Sequence, residues 1–319
     1  MENRKEFMED LLYKANLTLE DEGAEWRPID DDGKPGGLIL LKQDLTTIIV
    51  PDIHGRKQYL PDLMSFKLDG KYIYELLKQE KIQIVCVGDG MHGERRVRDR
   101  WKVAHQEYED DFKECPAMAE EMAENFQTMA MVMRLKIRFP RYFHFLKGNH
   151  ENILVENING NHPFAKFAAE GPMTKAYVEK FFGLEFLKQY DRFEKNLPLL
   201  ARGKFFVISH ARPKRTFGIT DIINYRSNPE VIEGLTWTRH QAAESGSVEG
   251  MFQFLIGDRQ DQKVTWFVGH TAINERYKLW EDGLLEIHNP ATKAIAIVDP
   301  IKPFEPDEHI VELPSTDKP

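Results

Sequence analysis

Two cysteines in 319 residues are too few for a disulfide framework, and Cys86 sits in an apolar run where a reduced, buried thiol is expected. No apolar run reaches the roughly 18 residues of a membrane span, and the opening MENRKEFMEDLL has no apolar signal core. Positive charge is not in excess. The 43 Lys and Arg against 52 Asp and Glu leave a net charge of −9, which argues against a general nucleic-acid binder or an anionic-membrane binder. A small basic pocket is still compatible with that balance. Gly/Ser linkers and internal repeats are also missing. With 41% hydrophobic and 30% charged residues, the composition is that of an ordinary globular chain. These features together predict a reduced, soluble, cytoplasmic protein without a membrane partner.

What is there is a series of short apolar segments, each stopped abruptly. LTTIIV (45–50) ends at Pro51, IQIVCV (82–87) at Gly88, and the run from Tyr142 to Leu146 shortly before Gly148. FFVIS (205–209) and VTWFVG (264–269) are two further strands, and AIAIVD (294–299) is expected to close a sheet. Helices are expected over 3–16 and 72–80. Residues 306–319, PDEHIVELPSTDKP, are Pro-rich and acidic and read as a loose tail.

The residues that follow these strands are of one kind. Asp52-Ile53-His54-Gly55 follows the first, Gly88-Asp89-Gly90 the second, and Gly148-Asn149-His150-Glu151 the third. His210 follows the fourth, and Gly269-His270-Thr271 the fifth. Open α/β sheets build their sites outside the carboxyl ends of strands, so these residues are expected to converge although they lie far apart in sequence. Asp52, His54, Asp89, Asn149, His210 and His270 would then form an oxygen-and-imidazole set without thiolate. Such a set suits Mn, Fe or Zn.

The ordered set D-x-H-G, G-D, G-N-H-E, a strand-ending His and G-H-T resembles the calcineurin-like metallophosphoesterases. It looks most like their phosphoprotein phosphatase branch, to which the Ser/Thr phosphatases and bacterial diadenosine-tetraphosphatases belong. The motifs run from Asp52 to His270, about two-thirds of the chain. The resemblance implies an α/β fold, a calcineurin-like β-sandwich flanked by α-helices. It would form one domain over 1–305; the stretch from Asp89 to Asn149 is longer than is usual in the family and reads as a helical insertion at about 94–138 between the second and third motifs. It also implies two divalent ions, Mn, Fe or Zn. Asp52 and His54 would hold one, Asn149, His210 and His270 the other, with Asp89 bridging. The implied activity is hydrolysis of a phosphorylated protein, nucleotide or small molecule by a metal-bridging hydroxide, with His150 as proton donor and Glu151 orienting the turn.

Two departures stand out. The family's second motif, G-D-x-V-D-R-G, reads GDGMHGE here (88–94), so His92 and Gly93 stand where an Asp and a phosphate-gripping Arg are usual. Pro51 replaces the first glycine of G-D-x-H-G. His92 is counted with the substrate-side residues and is also a possible acceptor for His150. Replacement arginines are Arg95 and Arg96 in ERRVRDR (94–100) and Arg239 in LTWTRH. Arginines in a first helical turn oppose the helix dipole at about 0.3–1 kcal/mol each, a cost that a phosphate anion would offset. Arg56 and Arg212 are expected to be surface arginines. The broken second motif keeps a different reading open, a metal-binding but catalytically weak scaffold. Met118, Met122, Phe126, Met129 and Met133 form a helical stripe, for core packing or for a lid that meets substrate. His105, His144, His162, His240, His288 and His309 carry no reading beyond surface or core packing.

Overall fold

The computed structural model describes residues 2–257 and 263–314. Branching at Cβ makes Thr46–Val50 poor helix and good strand, and this segment pairs in parallel with Ile82–Cys86, which pairs in parallel with Phe143–Phe145. Ala294–Val298 joins the other edge of Thr46–Val50 in antiparallel register, and Ile310–Glu312 pairs with it in turn, completing a sheet of five strands. A second sheet of six runs in the order Leu38–Leu40, Leu200–Arg202, Phe206–Ser209, Thr265–Val268, Leu284–Glu286, Lys278–Leu279. Within it Phe206–Ser209, Thr265–Val268 and Leu284–Glu286 are parallel.

Side chains alternate across each sheet, and both faces are covered. Ile49 and Val85 point inward and pack with Ile208, Phe267 and Leu285 of the other sheet. Ile48, Val50, Ile84 and Cys86 point outward into a helical layer that includes Glu2–Glu20 and Pro116–Arg138. Behind the second sheet, Val207, Trp266 and Val268 pack on Pro229–Thr236 and Ser247–Ile256. The layers are helix, sheet, sheet, helix, the α/β sandwich expected from the motifs. Double coverage also explains why the strands read as unbroken apolar runs rather than alternating ones.

The segment between the second and third motifs folds as a 3-10 turn, Arg95–Val97, then Arg98–Glu109 and Pro116–Arg138. Met118, Met122, Phe126, Met129 and Met133 are all buried, and Phe126 meets Phe182 at a ring distance of 4.8 Å. The stripe is core. The first helix is longer than expected, Glu2–Glu20, and the short strand Leu38–Leu40 and helix Tyr59–Ser65 have no counterpart in the sequence reading. The loose tail is corrected over 306–314. Pro306–His309 is helical, and Ile310–Glu312 adds an edge strand with Ile310 fully buried, because two apolar residues outweigh the acidic composition around them. Residues 315–319 lie outside the described residues. Both cysteines are free. Among the described residues no helix is long and apolar enough to cross a membrane.

Candidate metal centre

The parallel strands of the two sheets end on the same side of the sandwich, and the chain turns sharply as each one ends. His54, Asp89 and His270 take positive φ angles of 48°, 52° and 59°, a left-handed conformation that costs a non-glycine residue on the order of 1–3 kcal/mol. The turns are held by the ligand-type side chains themselves. Asp52 Oδ2 accepts the His270 N–H at 2.9 Å, and Asp89 Oδ1 accepts the His150 N–H at 3.0 Å. A side chain at Gly269 would collide with Asp52 Oδ1, so only glycine lets the two sheets approach here.

The imidazoles point unprotonated nitrogens at one another's oxygen neighbours. His54 Nδ1 donates toward the carbonyls of Met91 and His92 at 3.3 and 3.1 Å, which leaves Nε2 bare. That Nε2 is 3.7 Å from carboxylate oxygens of Asp52 and Asp89. His210 Nδ1 donates to the Val87 carbonyl at 3.1 Å, and His270 Nε2 donates to the Trp237 carbonyl at 3.1 Å. Their remaining nitrogens both face Asn149 Oδ1 at 2.9 Å, and His210 Nε2 also lies 3.4 Å from Asp89 Oδ2. Burial lowers the His54 pKa to about 3 and the His270 pKa to about 4, and pushes His210 well below its ordinary value, so no ring proton fills the gaps.

The carboxylates carry the matching excess. Burial first, then neighbouring acids, push Asp89 well above the usual carboxylate range, and burial raises Asp52. Asp52 Oδ1 is buried without a hydrogen-bond partner. Bare imidazole nitrogens converging on carboxyls that cling to protons for want of a counter-charge fit a divalent cation, which would take the place of those protons. Atoms of Asp52, His54 and His288, of His54, Asp89 and His150, and of Asp52, Asp89 and His210 form three groups, each with mutual separations within 4.8 Å.

His150 is buried beside this cluster, its Nε2 3.7 Å from Asp89 Oδ2. Its Nδ1 faces His92 Nδ1 at 3.2 Å, and His92 Nε2 reaches Thr174 Oγ1 at 3.2 Å. Both nitrogens of His92 are therefore turned inward, and neither is left for substrate, which corrects its place among the substrate-side residues. Phe164 covers His150 at a ring distance of 3.6 Å. Glu151 accepts the N–H groups of Asp89, Gly90 and Gly148 at 2.9, 2.9 and 2.7 Å, so it fixes the turn.

No family model matches the sequence, and no curated protein is similar to it. The fold does match. Over 99% of this chain and 91% of the other, it superposes on a protein serine/threonine phosphatase from Saccharomyces cerevisiae with similarity to human phosphatase PP5, with a TM-score of 0.60 at 12% identity. The fold is that of the calcineurin-like phosphatases. A cold-active protein-tyrosine phosphatase of a psychrophilic Shewanella species also matches, over 87% of this chain and 82% of the other, with a TM-score of 0.47 at 12% identity, too low to carry an argument.

On this phosphatase fold, a cavity of about 350 Å³ opens beside the cluster, lined by His54, Glu94, Arg95, Arg96 and Asn289 among others. Arg95 is exposed on its rim. Arg96 is tied down, to Glu124 at 2.8 Å and to the Gly55 carbonyl at 3.0 Å. Arg239 is exposed, and its charge helps depress the basicity of His270. Arg56 and Arg212 are not the surface arginines expected. Arg56 donates to the carbonyls of Asp52, Ile53 and Thr292, and Arg212 pairs with Asp282.

One residue at the centre, His288, carried in the sequence no reading beyond surface or core packing. His288 is buried with its Nε2 3.0 Å from Glu94 Oε2 and 3.8 Å from Asp52 Oδ2. The signal was there in LLEIHNP. A His follows an apolar run and precedes a turn, as at the other strand ends, but the strand is only three residues long and ends in Glu286.

Proposed function

We propose that this chain is a metal-dependent phosphoester hydrolase. The observation that carries the reading is the set of bare imidazole nitrogens and buried carboxylate oxygens gathered at the strand ends of a phosphatase fold. Asp52, His54, Asp89, Asn149, His210 and His270 would hold divalent cations, two of them on the family pattern, with Mn, Fe or Zn suited to these donors. Bound there, such cations act as Lewis acids toward a phosphoryl oxygen and an attacking water.

The remaining work falls to the chain. With Thr174 Oγ1 accepting from His92 Nε2–H, His92 Nδ1 is left bare as the acceptor for a proton on His150 Nδ1. To act as donor, His150 must first be protonated at both nitrogens; its Nε2–H, on the Asp89 side, would then pass to the departing alkoxide oxygen and leave the neutral Nδ1–H ring. Phe164 shields the ring from bulk water. Arg95 and Arg239 attract the anion and orient it. The substrate is a phosphorylated protein, nucleotide or small molecule, and a panel of these identifies which.

The test uses p-nitrophenyl phosphate and bis-p-nitrophenyl phosphate with the purified protein and added manganese or zinc. Turnover that falls by at least about 100-fold in both Asp89→Asn and His150→Asn supports the hydrolase. Metal uptake with no turnover of any ester supports the scaffold reading instead.

A further inference from the structure

Four side chains form a closed ring at the wall of the cavity. Asp52 Oδ2 lies 3.7 Å from His54 Nε2, which lies 3.7 Å from Glu94 Oε2. Glu94 Oε2 lies 3.0 Å from His288 Nε2, and His288 Nε2 lies 3.8 Å from Asp52 Oδ2. Carboxylate and imidazole alternate around the ring. A point at the middle of a square with such sides lies roughly 2.1–2.7 Å from each corner, which brackets metal–nitrogen and metal–oxygen bond lengths.

We infer that His288 and Glu94 are ligands of the cation on the Asp52–His54 side, completing a four-cornered set of two carboxylates and two imidazoles. The inference rests on the metal-dependent reading above and goes beyond the six ligands that the motifs name.

Four observations support it, two of them on residues outside those motifs. His288 stands at the carboxyl end of Leu284–Glu286, which is parallel to Thr265–Val268, so it occupies the same topological position as His270 one strand away. The His54 nitrogen in the ring carries no proton, because the other nitrogen donates to backbone carbonyls. Asp52 Oδ1 is fully buried and unpartnered, so the Asp52 carboxylate is poorly neutralised by the protein alone. Lys166 Nζ takes the other oxygen of Glu94, Oε1, at 2.7 Å, and leaves Oε2 to the ring. In the metal-free arrangement the His288 Nε2–H donates to Glu94. As a ligand, His288 would carry its proton on Nδ1 and offer the Nε2 lone pair to the ion, with no net release of a proton.

The test is metal binding with no ester present. Full-length protein stripped with chelator is titrated with manganese alone by equilibrium dialysis, in wild type and in His288→Ala. The expected result is that wild type binds and that one class of sites weakens by about 10- to 100-fold or more in the variant, while the other class is retained. An unchanged isotherm in a variant with wild-type circular dichroism overturns the inference. If His288→Ala does not fold, manganese-loaded wild-type crystals decide. An anomalous peak within about 2.5 Å of His288 Nε2 and Glu94 Oε2 supports it, and a peak that leaves His288 Nε2 beyond about 3.5 Å overturns it. Manganese held through His288 in a protein that hydrolyses no ester supports this ligand set while removing the hydrolase reading. A wild-type protein that takes up no manganese removes both.

Discussion

The Nδ1 atoms of His92 and His150 face each other at 3.2 Å, an imidazole against an imidazole. Only one proton fits between them. When the Thr174 hydroxyl, 3.2 Å from His92 Nε2, accepts that nitrogen's proton, His92 Nδ1 is bare and accepts from His150. Thr174→Val is expected to lower kcat about tenfold with KM nearly unchanged, and Thr174→Ser to restore it. Steady-state kinetics on p-nitrophenyl phosphate check this. An equal loss in the serine variant would contradict it.

Metal removal is expected to lower the melting temperature by several degrees, since an ion at about 100 times its Kd adds about 2.7 kcal/mol of stability. Gly269→Ala should abolish that difference, because the added methyl group displaces the Asp52 carboxylate. Calorimetry with and without chelator measures both effects.

The three candidate arginines should separate. Arg95→Ala and Arg239→Ala are expected to raise KM severalfold with little change in kcat, and to weaken inhibition by inorganic phosphate. Arg96→Ala should act chiefly on stability, because its guanidinium already serves Glu124 and the Gly55 carbonyl. A KM effect confined to Arg96→Ala would reverse the assignment.

Acid sensitivity has a source remote from the centre. Burial raises the Glu22 pKa, but Lys136, Arg27 and His144 outweigh it and bring it to about 2. The stability this carboxylate contributes is present above its ordinary pKa of 4.5 and is lost as pH falls toward about 2. Burial holds His144 at about 3 against an ordinary 6.5, so the unfolded chain takes up that proton first, and stability falls further as pH drops below 6.5. Urea midpoints should therefore hold near neutrality and decline below pH 6.5 in wild type. Glu22→Gln strands Arg27 and Lys136 and should cost about 3–5 kcal/mol at pH 7, with a flatter limb between pH 4.5 and 2. A midpoint in that variant equal to wild type at pH 7 would refute the assignment.

The six motif residues were legible because each stands just past a run of several apolar residues, most of them after a Gly or Pro that stops it. Asp52, Asp89 and Asn149 announce themselves in that way. His288 does not, since its strand has one charged residue in three, and neither does Glu94, which belongs to a turn whose sequence departs from the family pattern. Partnerships across the fold are the other gap. Nothing local to Thr174 says that it meets His92, and nothing local to Phe164 says that it covers His150. The pairing of Ile310–Glu312 was hidden for a related reason. Composition over fourteen residues averages out the two apolar ones that dock.

Asp52, His54, Asp89 and Asn149 hang from one sheet, while His210, His270 and His288 hang from the other. An ion gripped by both groups is thus a rivet across the seam of the sandwich. Its removal would loosen the two halves at that end, at the mouth of the cavity.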